Sequence, residues 1–199
     1  MRDAVLYIHG KGGSAGEADR YAKLLPEYDV FGLEYHGVTP WETRGEVLAA
    51  YENLTHNHGR MVLIANSIGA YFAMNALQGK SILQALFISP VVDMGKLIED
   101  MMAWSHVTEA ELQDRGEVET AFGETLSWKY LQYVRSHPIT WSIPTRILYG
   151  EKDNLTSIET IRNFSVVHRA DLEVMRGGEH WFHTEKQLAY LDQWVRQYL

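Results

Sequence analysis

Short apolar runs recur along the chain at Ala4–Ile8, Val30–Tyr35, Met61–Ala65, Ala85–Ser89, Thr145–Tyr149 and Asp171–Met175. Most lack the alternation of a half-exposed strand, which predicts strands buried on both faces. Segments with helical spacing lie between them. Several open on a hydroxyl followed three residues later by Glu or Gln, a pairing that satisfies the first free amides of a helix. Ser14-x-x-Glu17, Thr39-Pro40-x-Glu42, Thr156-x-x-Glu159 and Thr184-x-x-Gln187 have this form. The last helix sets Leu188, Leu191, Trp194, Val195 and Tyr198 on one stripe, as expected for packing on a sheet. Strand and helix alternate, so the expected class is α/β: a mostly parallel sheet of about six strands with helices on both faces. Such sheets bind ligands beyond the carboxyl ends of their strands.

One gap breaks the rhythm. The stretch from Pro90 to Pro144 is too long for a single crossover helix. It carries Met94, Met101, Met102, Trp104, Trp128, Tyr130, Tyr133 and Trp141, a helix start at Thr108-x-x-Glu111, and helical spacing through Leu126, Tyr130, Leu131 and Val134. The chain therefore reads as one domain, residues 1–199, with a helical lid inserted over about residues 91–143. Two or three helices that merely extend the core are the plainer alternative.

Composition narrows the chemistry. With 18 Lys and Arg against 26 Asp and Glu the formal charge is −8, which disfavours nucleic acid and anionic membrane surfaces as partners. There are no cysteines, which removes disulfides, thiol catalysis and Cys-ligated metals. No run is long enough to span a membrane, and the apolar run at the start is too short for a signal peptide, so a cytoplasmic location is expected.

The residues just after the runs carry the chemistry. Ala65-Asn66-Ser67-Ile68-Gly69 follows the third run and leads into Ala70-Tyr71-Phe72-Ala73-Met74 at helical spacing. Small residues two before and two after a serine permit the tight strand-to-helix turn that exposes a nucleophilic hydroxyl above a sheet. Gly is usual at both flanks, and Ala65 departs from that pattern by one methyl group. Gly150-Glu151-Lys152-Asp153 follows the fifth run, Gly177-Gly178-Glu179-His180-Trp181 the sixth, and His9-Gly10-Lys11-Gly12-Gly13 the first.

On these motifs the chain resembles, over nearly its whole length, the α/β-hydrolase superfamily, specifically its small lidded members with esterase or lipase-like activity. The resemblance implies a triad in the order Ser67, Asp153, His180. The imidazole would take the serine's proton and return it to the leaving group, while the carboxylate orients the imidazole. It also implies an oxyanion hole formed by the backbone amides of Lys11 and Ile68. Glu151 is an alternative acid, and His183 an alternative base if the loop is shifted. His9 reads as a loop-shaping residue. His56-x-His58 fits a solvated helix end better than a metal site. Glu34, Tyr35 and His36 follow the second run and are expected to border the pocket mouth, with no role assigned.

The activity implied is hydrolysis of carboxylic esters through an acyl-enzyme, with a small-molecule ester as partner and no cofactor or metal. Gly12, Met102, Trp104, Trp128 and Trp181 are candidates for substrate contact. Thioester or amide hydrolysis by the same machinery is the nearest rival. A binding protein on the same fold is the rival from a different class. The apolar surface expected on the insertion is one on which two copies of the chain can pair as a homodimer.

Overall fold

Val, Ile, Leu and aromatic residues dominate the strands that form the central sheet, and its four inner strands lie almost entirely out of water. The computed structural model describes residues 1–199. Its strands β1 (Ala4–Ile8), β2 (Asp29–Leu33), β3 (Met61–Asn66), β4 (Gln84–Ile88), β7 (Thr145–Gly150) and β8 (Asp171–Met175) lie parallel in the order β2-β1-β3-β4-β7-β8. The two edge strands, β2 and β8, are the partly exposed ones. Strand β2 stops at Leu33, short of the expected Tyr35, because the chain leaves the ladder with β1 there.

Side chains along a strand alternate between faces. Val5, Tyr7, Val62, Ile64, Leu86, Ile88 and Leu148 form one core with Tyr21 of α1 (Ala18–Leu24) and Leu191, Trp194 and Val195 of α8 (Glu185–Tyr198). Arg20 ties these two helices together, its Nε donating to Asp192 at 2.6 Å. Leu6, Leu63, Phe87 and Ile147 turn to the opposite face, where α2 (Pro40–Asn57) and α3 (Ile68–Leu77) pack on each other. Each buried Leu, Ile or Phe contributes about 1.5–3 kcal/mol, so the doubly covered sheet is the main source of stability.

The capping pattern largely predicts the helix starts. Full boxes form at Ser14/Glu17, Thr39/Glu42 and Thr184/Gln187. The exception is α7 (Ile158–His168), capped by Ser157 rather than Thr156. Thr156 lies one residue before the cap, its amide donating to Asp153 Oδ1 and its carbonyl accepting from the Tyr149 hydroxyl.

Residues Met1–Val92 and Thr140–Leu199 form one compact unit, and Asp93–Ile139 a second. The second contains α4 (Met94–Trp104), α5 (Glu109–Arg115), α6 (Trp128–Ser136) and an antiparallel pair, β5 (Glu117–Glu119) with β6 (Thr125–Ser127). Leu126, expected on a helical stripe, belongs to β6. Thr108 caps α5 as expected, accepting from the Glu111 amide. Within this unit Arg135 of α6 donates to Glu109 of α5 and Glu99 of α4, pinning the three helices to one another.

Candidate active site

Chain order reverses beside β1. Strand β2 lies on one side of it and β3 on the other, which makes the carboxyl ends of β1 and β3 the topological switch point, where sheets of this kind bind ligands. Ser67 stands there, between β3 and α3, with φ 51° and ψ −124°. This left-handed backbone costs about 1–3 kcal/mol in a non-glycine residue and persists only where neighbours impose it. Three hydrogen bonds do so. The Ser67 amide donates to the Ile88 carbonyl at 3.0 Å, and the Ser67 carbonyl accepts from Ala70 at 3.1 Å and Val91 at 3.0 Å. The turn also needs a bare Cα two residues on, since a Cβ on Gly69 would lie 2.3 Å from the His9 carbonyl oxygen. Ala65, fully buried in β3, is small enough for its place.

Although Ser67 occupies the N-cap position of α3, its side chain makes no cap bond. The hydroxyl lies 2.9 Å from His180 Nε2 instead. His180 Nδ1 is 2.7 Å from Asp153 Oδ2. A carboxylate only accepts, so Nδ1 carries the proton of the neutral ring and Nε2 presents its lone pair to the serine. The other carboxylate oxygen accepts from the amides of Leu155 at 2.8 Å and Thr156 at 3.1 Å, which fixes its rotation. The Asp153 side chain is 0% exposed and that of His180 20%, so the relay runs from the interior outward. Such a relay removes a hydroxyl proton as the oxygen attacks.

Close packing of two glycine turns brings acid and imidazole together. A Cβ on Gly150 would fall 2.5 Å from the Glu179 carbonyl oxygen, and one on Gly178 3.1 Å from Gly150 Cα. The Lys152 amide donates to the Gly178 carbonyl at 2.7 Å across the same contact. Tyr149 supports the acid turn from within β7, donating its hydroxyl to the Thr156 carbonyl at 2.7 Å. Burial, with the Asp153 charge nearby, pushes that phenol up to about 12, so it stays a donor at neutral pH.

The alternatives lie elsewhere. Glu151 accepts from the Gly177 amide at 2.8 Å and braces the loop, away from the imidazole of His180. His183 is half exposed, with Nδ1 2.8 Å from the Trp181 carbonyl and 3.4 Å from Glu179. His58 ends α2, its Nδ1 3.2 Å from the Leu54 carbonyl and its Nε2 3.6 Å from Asp29. No set of three His, Asp or Glu converges there in a way that would hold a metal ion.

No protein-family model matches this sequence. No curated protein matches it either. Solved structures do. The chain is similar to Est1E from Butyrivibrio proteoclasticus, with TM-score 0.77 and 16% identity over 98% of this chain and 86% of that one. An esterase from Pyrococcus furiosus gives TM-score 0.66 and 18% identity over 98% and 81%. An alpha-beta serine hydrolase homologue from Coxiella burnetii gives 0.63 and 15% over 99% and 84%. The chain has the α/β-hydrolase fold.

On the α/β-hydrolase fold of this chain, the loop after β1 runs beside the serine, and a Cβ on Gly10 would lie 3.1 Å from Ser67 Cβ. Lys11 and Gly12 follow in that loop. Ile68 is the first residue of α3, so its amide has no acceptor within the helix. His9 is buried and bends the loop, its Nδ1 donating to the Gly10 carbonyl at 2.8 Å. Trp181 adjoins His180 and is 71% exposed, stacked on His183 with centroids 5.0 Å apart. Met102, Trp104 and Trp128 belong to the second unit. There Met102 is buried, Trp128 half-buried, and Trp104 half exposed with its ring 6.2 Å from that of Phe122. Sequence reasoning missed Tyr149 and the Leu155 and Thr156 amides. The glycines at 150 and 178 were the available signal that two turns meet.

Proposed function

We propose that this chain is a serine hydrolase that cleaves carboxylic esters through an acyl-enzyme. One observation carries the reading: the Ser67 hydroxyl, on a strained turn and unused as a cap, is bonded to an imidazole whose far nitrogen is held by a buried carboxylate.

Ser67 Oγ attacks the ester carbonyl while His180 Nε2 takes its proton. The tetrahedral intermediate's oxyanion is received by the amides of Lys11 and Ile68, each such donor being worth about 3–4 kcal/mol. The imidazolium, stabilised by Asp153, then gives its proton to the departing alkoxide and the ester C–O bond breaks. Water repeats the sequence on the acyl-enzyme, releasing the carboxylic acid and restoring the serine.

In this reading Gly12 and Trp181 contact the substrate. The Val91 amide, bonded to the Ser67 carbonyl, holds the chain beside the serine just before the second unit begins.

Fluorophosphonate labelling with peptide mapping tests the proposal. Stoichiometric modification of Ser67, lost in Asp153→Asn and His180→Ala, is the expected result, followed by faster turnover of esters than of thioesters or amides. A folded protein that takes no label overturns it.

A further inference from the structure

The residues just beyond β2 have no part in the mechanism above, yet one of them touches both segments that carry the oxyanion amides. Tyr35 donates its hydroxyl to the His9 carbonyl at 2.9 Å. Its ring stacks on the His9 imidazole, centroids 4.3 Å apart and planes 12° from parallel. On its other side the ring meets Phe72 of α3 at 5.6 Å and 87°. The same His9 carbonyl oxygen is the atom against which Gly69 closes. It therefore marks where the Lys11 loop and the start of α3 rest on each other, and the Tyr35 hydroxyl holds it from behind. Burial pushes the Tyr35 phenol up to about 12, which keeps it a donor at neutral pH. The adjoining Glu34 fastens the far end of the loop, accepting from the Ala15 amide at 3.0 Å.

We infer that Tyr35 is a positioning residue that sets the spacing between the Lys11 and Ile68 amides by fixing the His9 carbonyl and bracing α3 through Phe72. The inference rests on the oxyanion assignment in the proposed function. Without the hydroxyl the buried His9 carbonyl has lost its donor, and the segment that leads on to Lys11 loses that restraint on its position. Oxyanion contacts strengthen only as charge develops in the transition state, so such a shift falls on kcat and leaves KM nearly unchanged.

The test compares the wild type with Tyr35→Phe and with Tyr51→Phe as a matched control. Tyr51 is also a buried tyrosine bonded to a backbone carbonyl, that of Ser81 at 3.2 Å, but near the amino ends of the strands. For each, kcat and KM are measured on a short-chain aryl ester, with Tm and the Ki of a trifluoromethyl ketone whose hemiketal oxyanion occupies the same donors. Tyr35→Phe should lower kcat about ten- to fiftyfold, less than the 10²–10³-fold of deleting a donor outright. It should raise the ketone's Ki by a similar factor and leave KM within twofold. Tyr51→Phe should lower Tm comparably with kcat and Ki unchanged. Phe72→Leu, which loosens the ring but keeps the hydroxyl bond, should give a smaller loss of the same kind. Values for Tyr35→Phe within twofold of an active wild type overturn the inference and leave the proposed function standing. A wild type that neither turns over esters nor captures the ketone removes both.

Discussion

Gly150 and Gly178 meet backbone to backbone, the point at which the turn carrying Asp153 touches the turn carrying His180. Neither position has room for a side chain. Gly150→Ala should therefore push the two turns apart, and a displacement of about 1 Å at a reacting pair can lower turnover by about a hundredfold. Ester turnover and Tm measured together check this, and both should fall.

Ser67→Gly and Ser67→Ala should both abolish turnover, but they should differ in stability. At φ 51° and ψ −124° a Cβ is strained, so the glycine variant should be the more stable of the two by about 1 kcal/mol. Denaturant titration reads the difference, and equal midpoints would show that the turn stores no strain.

Asp153→Asn should lower kcat by about 10⁴-fold with little loss of fold. The side-chain oxygen of Asn is needed by the Leu155 and Thr156 amides, which leaves its NH₂ group facing His180 Nδ1. That nitrogen must then accept, so the ring proton moves to Nε2 and the base is lost. Pre-steady-state kinetics should show acylation, not deacylation alone, slowed.

Trp181→Ala tests substrate contact. An indole this exposed contributes little to stability, within about 0.5 kcal/mol, so Tm should hold. In the proposed reading KM for an aryl ester rises several-fold while acetyl-ester turnover hardly changes.

The α/β class and the strands were legible because doubly buried parallel strands appear as uninterrupted apolar runs, which Met61–Asn66 shows best. The serine turn was legible because its geometry demands small flanking residues. Asp153 was preferred to Glu151 only on the spacing implied by the family resemblance, since both follow the same turn. Their surroundings distinguish them: Glu151 braces Gly177, while Asp153 is buried on two amides. The hairpin in the insertion was hidden because its strands are three residues long and Leu126 falls in phase with the helix that follows. Tyr35 was placed after the second run but given no role, because its partner is a backbone carbonyl, which leaves no trace in residue type.

Ser67 and His180 are separated by 113 positions, and His180 is supplied by the loop after the outermost strand, β8. The pair therefore exists only once β7 and β8 have joined β4. Any partly formed chain that stops at β4 holds the serine turn without the His180 imidazole, so in the proposed reading the capacity for nucleophilic attack arrives only with the last strands. Recovery of labelling at Ser67 during refolding should accordingly trail the burial of Trp194 and report completion of the sheet, whichever strand pairs first.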